Sequence, residues 1–259
     1  MFVRRLTSSL KEQHWVTIAI ELVIVIIGVF VGTQFSNWSE ARLERLQTER
    51  MLDQLVPELD NQIAFFEFAK RYFGSARGYA EKAIAAWDGD PRISDNDFVI
   101  DAYQASEIYG IGINSQTWGT TFGGQQLRDI KDVKLREHLA IVLTADYEQV
   151  NFNAVATPYR QDVRKIIPSA LQDQIRAHCG DRILDRDNIV DLYVLPPTCA
   201  LTLDPAQARA TAAALRADKG LEGELNWHLA TVATYLENAE GLEVQMQTLK
   251  HDLARDHHG

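Results

Sequence analysis

Apolar residues run almost unbroken near the start of the chain and recur at helical spacing after it. From Trp15 to Phe35 the sequence reads WVTIAIELVIVIIGVFVGTQF, with Glu21 its only ionisable residue. These 21 residues would extend about 31 Å as a helix, close to the ~30 Å hydrocarbon thickness of a bilayer. A buried helix of a soluble domain runs shorter and keeps a polar face. A cleaved signal peptide has a shorter apolar core and an A-x-A-like site, where this chain has Gly32-Thr33-Gln34-Phe35. The pattern predicts a retained transmembrane helix over 15–36, bracketed by Trp15 and Trp38 as interfacial aromatics. A tail, 1–14, precedes it and a domain, 37–259, follows.

Past the anchor the period becomes that of amphipathic helices. Leu52, Leu59, Phe66, Phe73, Ala80 and Trp87 recur every seven residues, with Val56, Ile63 and Ile84 four places after three of them. Such a seam, flanked by Glu58, Asp60, Glu67, Lys70 and Arg71, predicts a long helix of coiled-coil character. Pro57 should kink it or open a new helix, and Asp88-Gly89-Asp90-Pro91 should stop it. Near the other end, Leu225, Val232, Ala239, Met246 and Leu253 form one heptad row. His228, Tyr235, Leu242 and Leu249 form the row three positions on. Two long helices, each with one narrow seam, most simply pack antiparallel on each other.

Shorter helices are expected between them. Ser94 caps a segment carrying Phe98, Val99, Ala102, Tyr103 and Ile108, and Asp204-Pro205 opens an Ala-rich helix ending near Lys219-Gly220. Leu135, Leu139, Val142 and Leu143 start a helix that is read as running past Pro158 towards Pro168. The best strand candidate is Ile189 to Val194. The expected class is all-α: a transmembrane helix continuing into an extracytoplasmic helical bundle with long first and last helices.

Charge orients the anchor. Arg4, Arg5 and Lys11 face Glu12 alone before the span, whereas Arg42, Arg45 and Arg50 are matched by Glu40, Glu44 and Glu49 after it. The basic tail favours an N-inside topology. Over the whole chain 36 acidic residues against 26 basic ones leave a net charge of −10, which excludes a general nucleic-acid binder. Cys179 and Cys199 are the only cysteines. Outside the cytoplasm they are expected to pair and close a loop, a constraint of roughly 3 kcal/mol. The competing readings are two buried thiols, or a metal site begun by His178 that lacks a fourth ligand.

Within the anchor Glu21, Val25, Gly28, Gly32 and Phe35 share one helix face. Gly28-x-x-x-Gly32 allows two helices to approach closely, and Glu21 then faces the same partner. Glu21 either clasps a helix dimer by a hydrogen bond or couples a proton or ion within a larger complex.

The anchor residues also resemble a family. Glu21-Leu22, Val25, Gly28-Val29, Gln34 and Asn37-Trp38 read as the E-L-x-x-V-x-x-G-V-x-x-x-x-Q-x-x-N-W signature of an uncharacterised family of bacterial single-span membrane proteins. Thr117-Trp118, Gly123-Gly124, Leu127, Ile130-Lys131-Asp132 and Leu135-Arg136 are similar to a second stretch of that family. The resemblance implies a bacterial inner-membrane location and brings no activity with it.

Sequence motifs for catalysis are missing. Gly110-Ile111-Gly112 lacks the third glycine of a dinucleotide fingerprint, and no G-x-x-x-x-G-K-[ST], H-E-x-x-H or G-x-S-x-G occurs. Asp185-Arg186-Asp187-Asn188 lacks the Gly and Glu of a calcium loop. No catalytic residue, metal or cofactor is expected. Two function classes remain. One is a non-enzymatic scaffold or accessory subunit in the bilayer, as a homodimer or within a larger membrane complex. The other is an extracytoplasmic sensor acting through a partner, with Tyr103, Tyr109, Trp118 and Phe122 around a ligand pocket. His228, on an apolar row, reads as a core histidine or a pH sensor.

Overall fold

The computed structural model describes residues 15–109, 127, 130–184 and 192–256. The chain divides into two compact units, Met1–Asp53 and Gln54–Gly259. The class is all-α, as the apolar periodicity predicts. Seven helices carry the described residues: α1 (Trp15–Trp87), α2 (Asp95–Gln104), α3 (Val133–Leu143), α4 (Pro158–Ile166), α5 (Ser169–Cys179), α6 (Pro205–Ala217) and α7 (Leu221–Asp256). Two 3-10 turns, Tyr147–Val150 and Phe152–Ala154, join α3 to α4. A two-residue antiparallel ribbon pairs β1 (Arg182–Ile183) with β2 (Tyr193–Val194).

In the first unit α1 is apolar and uncovered. Ile18 begins a helical stretch with a mean hydropathy of 2.3 in its most apolar window and none of that window buried. Ile24, Val25, Phe30 and Phe35 are all exposed. This helix is long and apolar enough to cross a membrane. At its far end the Phe35 and Trp38 rings lie 6.0 Å apart, and the Arg42 guanidinium sits 5.7 Å over Trp38.

The second unit holds the core. Its share of α1 runs through the exposed Pro57 and ends at Trp87. There Gly89 takes φ +84°, a left-handed turn that disfavours a side chain, and Ser94 Oγ accepts the Asp97 amide to start α2. The predicted heptad row of α1 is buried here from Leu59 to Ala80. The face is wider than one seam, however. Phe65, Tyr72, Tyr79 and Ala86 form a second buried row, and Ala69, Ala76 and Ala83 a third. A helix packed on more than one side needs a broad apolar face, so this segment of α1 is a core helix rather than a two-stranded seam.

The long helices run antiparallel, with Lys70 pairing Glu243 at 2.6 Å and Asp60 pairing Lys250. Side chains of the two seams meet: Phe73 and Ala76 line one small pocket together with His228 and Val232. The closest backbone neighbours of α7 are α3, α4 and the first 3-10 turn, while α2 lies against α6. Phe152, from the second 3-10 turn, fills the space between. Its ring centroid is 5.1 Å from Phe73, 6.2 Å from Phe65 and 6.3 Å from Tyr235. This aromatic wedge joins the apolar faces of the two helices.

The helix expected to continue past Pro158 is instead four elements: α3, the two 3-10 turns and α4. It stops at Leu143, and Pro158 occupies the first turn of α4, where its missing N–H costs nothing. Asp204 caps α6 by accepting the Ala206 and Gln207 amides, as its pairing with Pro205 predicts. Of the strand candidate only Tyr193 and Val194 pair; positions 189–191 lie outside the described residues.

Candidate functional site

Two features of the second unit bear on function: a polar cluster inside the core and a charged cleft on its surface. The cluster joins the segment just after α2 to α4. Glu107 pairs Arg164 at 2.9 Å and Arg160 at 3.7 Å, and Arg160 Nη1 donates to the Ser106 carbonyl at 2.5 Å. Burial, then the neighbouring Arg164, lowers the Arg160 guanidinium below its usual value. Glu107 therefore serves as the shared counter-ion that lets two half-buried arginines sit side by side.

Tyr103 and Tyr109 belong to this interior. The Arg164 guanidinium lies 4.9 Å over the Tyr103 ring, and Arg176 Nη1 donates to its hydroxyl at 3.1 Å. Tyr109 packs edge-on against Phe65 at 5.2 Å and Tyr72 at 5.3 Å, and its hydroxyl accepts the Tyr193 amide. Both side chains are fully buried, and neither lines the cleft. Trp118 and Phe122, the other two members of the expected pocket, lie outside the described residues.

His228 is buried beside Thr157, whose Oγ1 is 2.7 Å from Nδ1, and its ring lies 5.8 Å from that of Tyr159. Burial, then the charge of Arg160, lowers this histidine to about 4. It packs as a neutral core side chain near neutral pH. His178 is exposed, with Nδ1 2.9 Å from the Gln174 carbonyl. Among the described residues no three His, Cys, Asp or Glu side chains are grouped to hold a metal ion.

Cys179 and Cys199 stand at disulfide distance, their Cα atoms 5.4 Å apart. The pair ties the end of α5 to the segment after β2, next to the ribbon. Gln104 Nε2 reinforces the tie by donating to the Cys179 carbonyl at 2.6 Å.

Cys199 also forms part of the cleft, a groove of about 730 Å³. One wall is a face of α1 carrying Gly78, Tyr79, Lys82 and Ala85; the other is Asp97, Ile100 and Asp101 of α2. Asp90, Arg92 and Thr198 also line it. Tyr79 is fixed by donating its hydroxyl to the Pro196 carbonyl at 2.8 Å, and Lys82 Nζ lies 5.3 Å over its ring. Asp101 is 5 % exposed. Burial pushes its carboxyl up to about 7, against the lowering pull of Lys82. Sequence reading missed this group. Its signal was an acid inside the run Phe98 to Tyr103, where six consecutive residues are buried.

In the first unit Glu21, Gly28 and Gly32 are exposed. A Cβ built at either glycine meets nothing within 4 Å.

No protein-family model matches the chain, and no curated protein or solved structure does either. The functional reading therefore rests on the residues alone.

Proposed function

We propose that this protein is a membrane-anchored, non-enzymatic scaffold or accessory subunit of a bacterial cell-envelope complex. In this reading α1 crosses the inner membrane with the N-terminus in the cytoplasm, and the helical domain lies in the periplasm. The observation that carries it is the contrast between the two units. The apolar side chains of Ile18 to Phe35 are uncovered, while those of the second unit close on one another. An uncovered apolar helix needs lipid or another helix, and the basic tail selects the direction of insertion. A reporter active only in the cytoplasm, fused after Gly259, is expected to be silent. Activity there removes the orientation and, with it, the oxidising surroundings in which Cys179 and Cys199 pair.

The proposed partner-binding face of the anchor is Glu21, Gly28 and Gly32. Because added bulk at the glycines meets nothing within the chain itself, a substitution there reports on partners rather than on folding. Gly28→Leu and Gly32→Leu are expected to weaken association by about tenfold in a membrane two-hybrid assay, whereas Val29→Leu leaves it unchanged. An unaltered signal in both glycine variants rules the helix interface out. Glu21→Gln keeps the hydrogen-bonding group, so a retained complex with a lost cellular phenotype turns Glu21 from a clasp into a proton-coupling group.

A second reading, a periplasmic sensor that reports through a partner, is favoured by one observation: the charged cleft between α1 and α2 is of the size that takes a small solute.

A further inference from the structure

The cleft contains six charged side chains, and four of them are already engaged. Asp90 holds Arg92 through paired hydrogen bonds, the shortest 2.6 Å. Asp97 accepts from Ser94 and from Asn96, and Glu81 pairs Arg77 at 3.1 Å. Asp101 and Lys82 are different. The Asp101 carboxylate has no hydrogen-bond donor among the described residues; its influences are burial and the charges of Lys82 and Asp97. Lys82 is exposed and rests its ammonium on the Tyr79 ring. The two attract each other without closing an ion pair within 4.0 Å.

A carboxylate on a largely buried residue, open only to the cleft, is disfavoured in its charged form, and a group that supplies N–H donors and positive charge stabilises it. Lys82 rests on Tyr79 instead, and no carboxylate among the described residues lies within 4.0 Å of its ammonium. We propose that the cleft binds a small zwitterionic amine of the amino-acid type, its ammonium on Asp101 and its carboxylate on Lys82. This rests on the sensor reading and names its ligand class. The engaged groups contribute walls, Thr198 and Cys199 line the cleft as well, and the cysteine pair ties Cys199 to the end of α5. Ammonium-to-carboxylate contacts at both ends of one solute select it over molecules carrying either charge alone, because each of those leaves one cleft charge unpaired.

The test is binding to the full chain in nanodiscs, read by calorimetry and by melting temperature. The probes are glycine, L-alanine, L-glutamine and γ-aminobutyrate, with n-butylamine and butyrate as single-charge controls. At least one zwitterion is expected to saturate below about 10 mM, and each control to bind about tenfold or more weakly. Asp101→Asn and Lys82→Met are each expected to weaken the zwitterion by about tenfold. Asp101→Asn removes a buried charge, so its melting curve without ligand serves as the check that it folds. Saturation by no zwitterion overturns the proposal, as does binding that survives Asp101→Asn unchanged. Butylamine binding as tightly as the best zwitterion also overturns it, while leaving the sensor reading in place with a simple cation as ligand.

Discussion

Phe152→Ala is expected to destabilise the helical domain by about 3–5 kcal/mol, the range for removing a fully buried aromatic side chain. The ring is completely buried and touches Phe65 and Phe73 of α1 and Tyr235 of α7. Its loss opens a cavity among these side chains of the two long helices, and the helices cannot close it without disturbing the Lys70–Glu243 and Asp60–Lys250 register. In a domain of this size the change corresponds to roughly 10 °C in melting temperature. Near-UV circular dichroism of the full chain in detergent follows it. Phe152→Leu keeps most of the volume and should recover at least half of the loss. A cost below about 1 kcal/mol for Phe152→Ala would show that the wedge is not what joins α1 to α7.

Stability between pH 4 and 6.5 is expected to respond little to Asp101 and His228 together, and strongly to either alone. Burial raises the Asp101 carboxyl from 3.8 to about 7. Between those values the folded chain keeps a proton that the unfolded chain has released, so this group's contribution is lost as pH rises from about 4 to 7. Burial, with Arg160, lowers His228 from 6.5 to about 4. Here the unfolded chain takes up a proton that the folded one refuses, so stability is lost as pH falls from 6.5 to about 4. Each slope is about 1.4 kcal/mol per pH unit, and over their shared window the two oppose each other. Asp101→Asn leaves the histidine alone, and urea unfolding should show stability falling by about 3 kcal/mol on acidification through that window. His228→Gln should show the reverse, a gain on acidification. Curves for Asp101→Asn that run parallel to those of the unmodified chain would refute the linkage.

The two groups differ in what their burial serves. His228 has Thr157 beside it and lies on a heptad row among apolar neighbours, so its neutral form is satisfied. Asp101 has no such donor among the described residues and lines the cleft. The same physical cause, desolvation, therefore makes one residue part of the core and the other an unsatisfied group at a candidate binding surface.

What the sequence by itself determined is local or periodic. The apolar run of the anchor, the heptad rows of α7, the caps at Ser94 and Asp204 and the stop before Gly89 depend on spacing within a few turns, so they are legible without any partner. Cys179 and Cys199 were legible by count, since only two cysteines exist to meet. Tertiary structure decided the rest. A heptad row reveals one apolar stripe, but Phe65, Tyr72, Tyr79, Ala69 and Ala76 are core only because neighbours cover α1 on several sides at once. Phe152 gave no periodic signal, being a single aromatic in a 3-10 turn, and became central because long helices on either side leave a gap of its size. The cleft was invisible for the same reason: Tyr79, Lys82, Asp101 and Cys199 come from three separate segments, and only packing sets a buried acid and an uncommitted lysine along one groove.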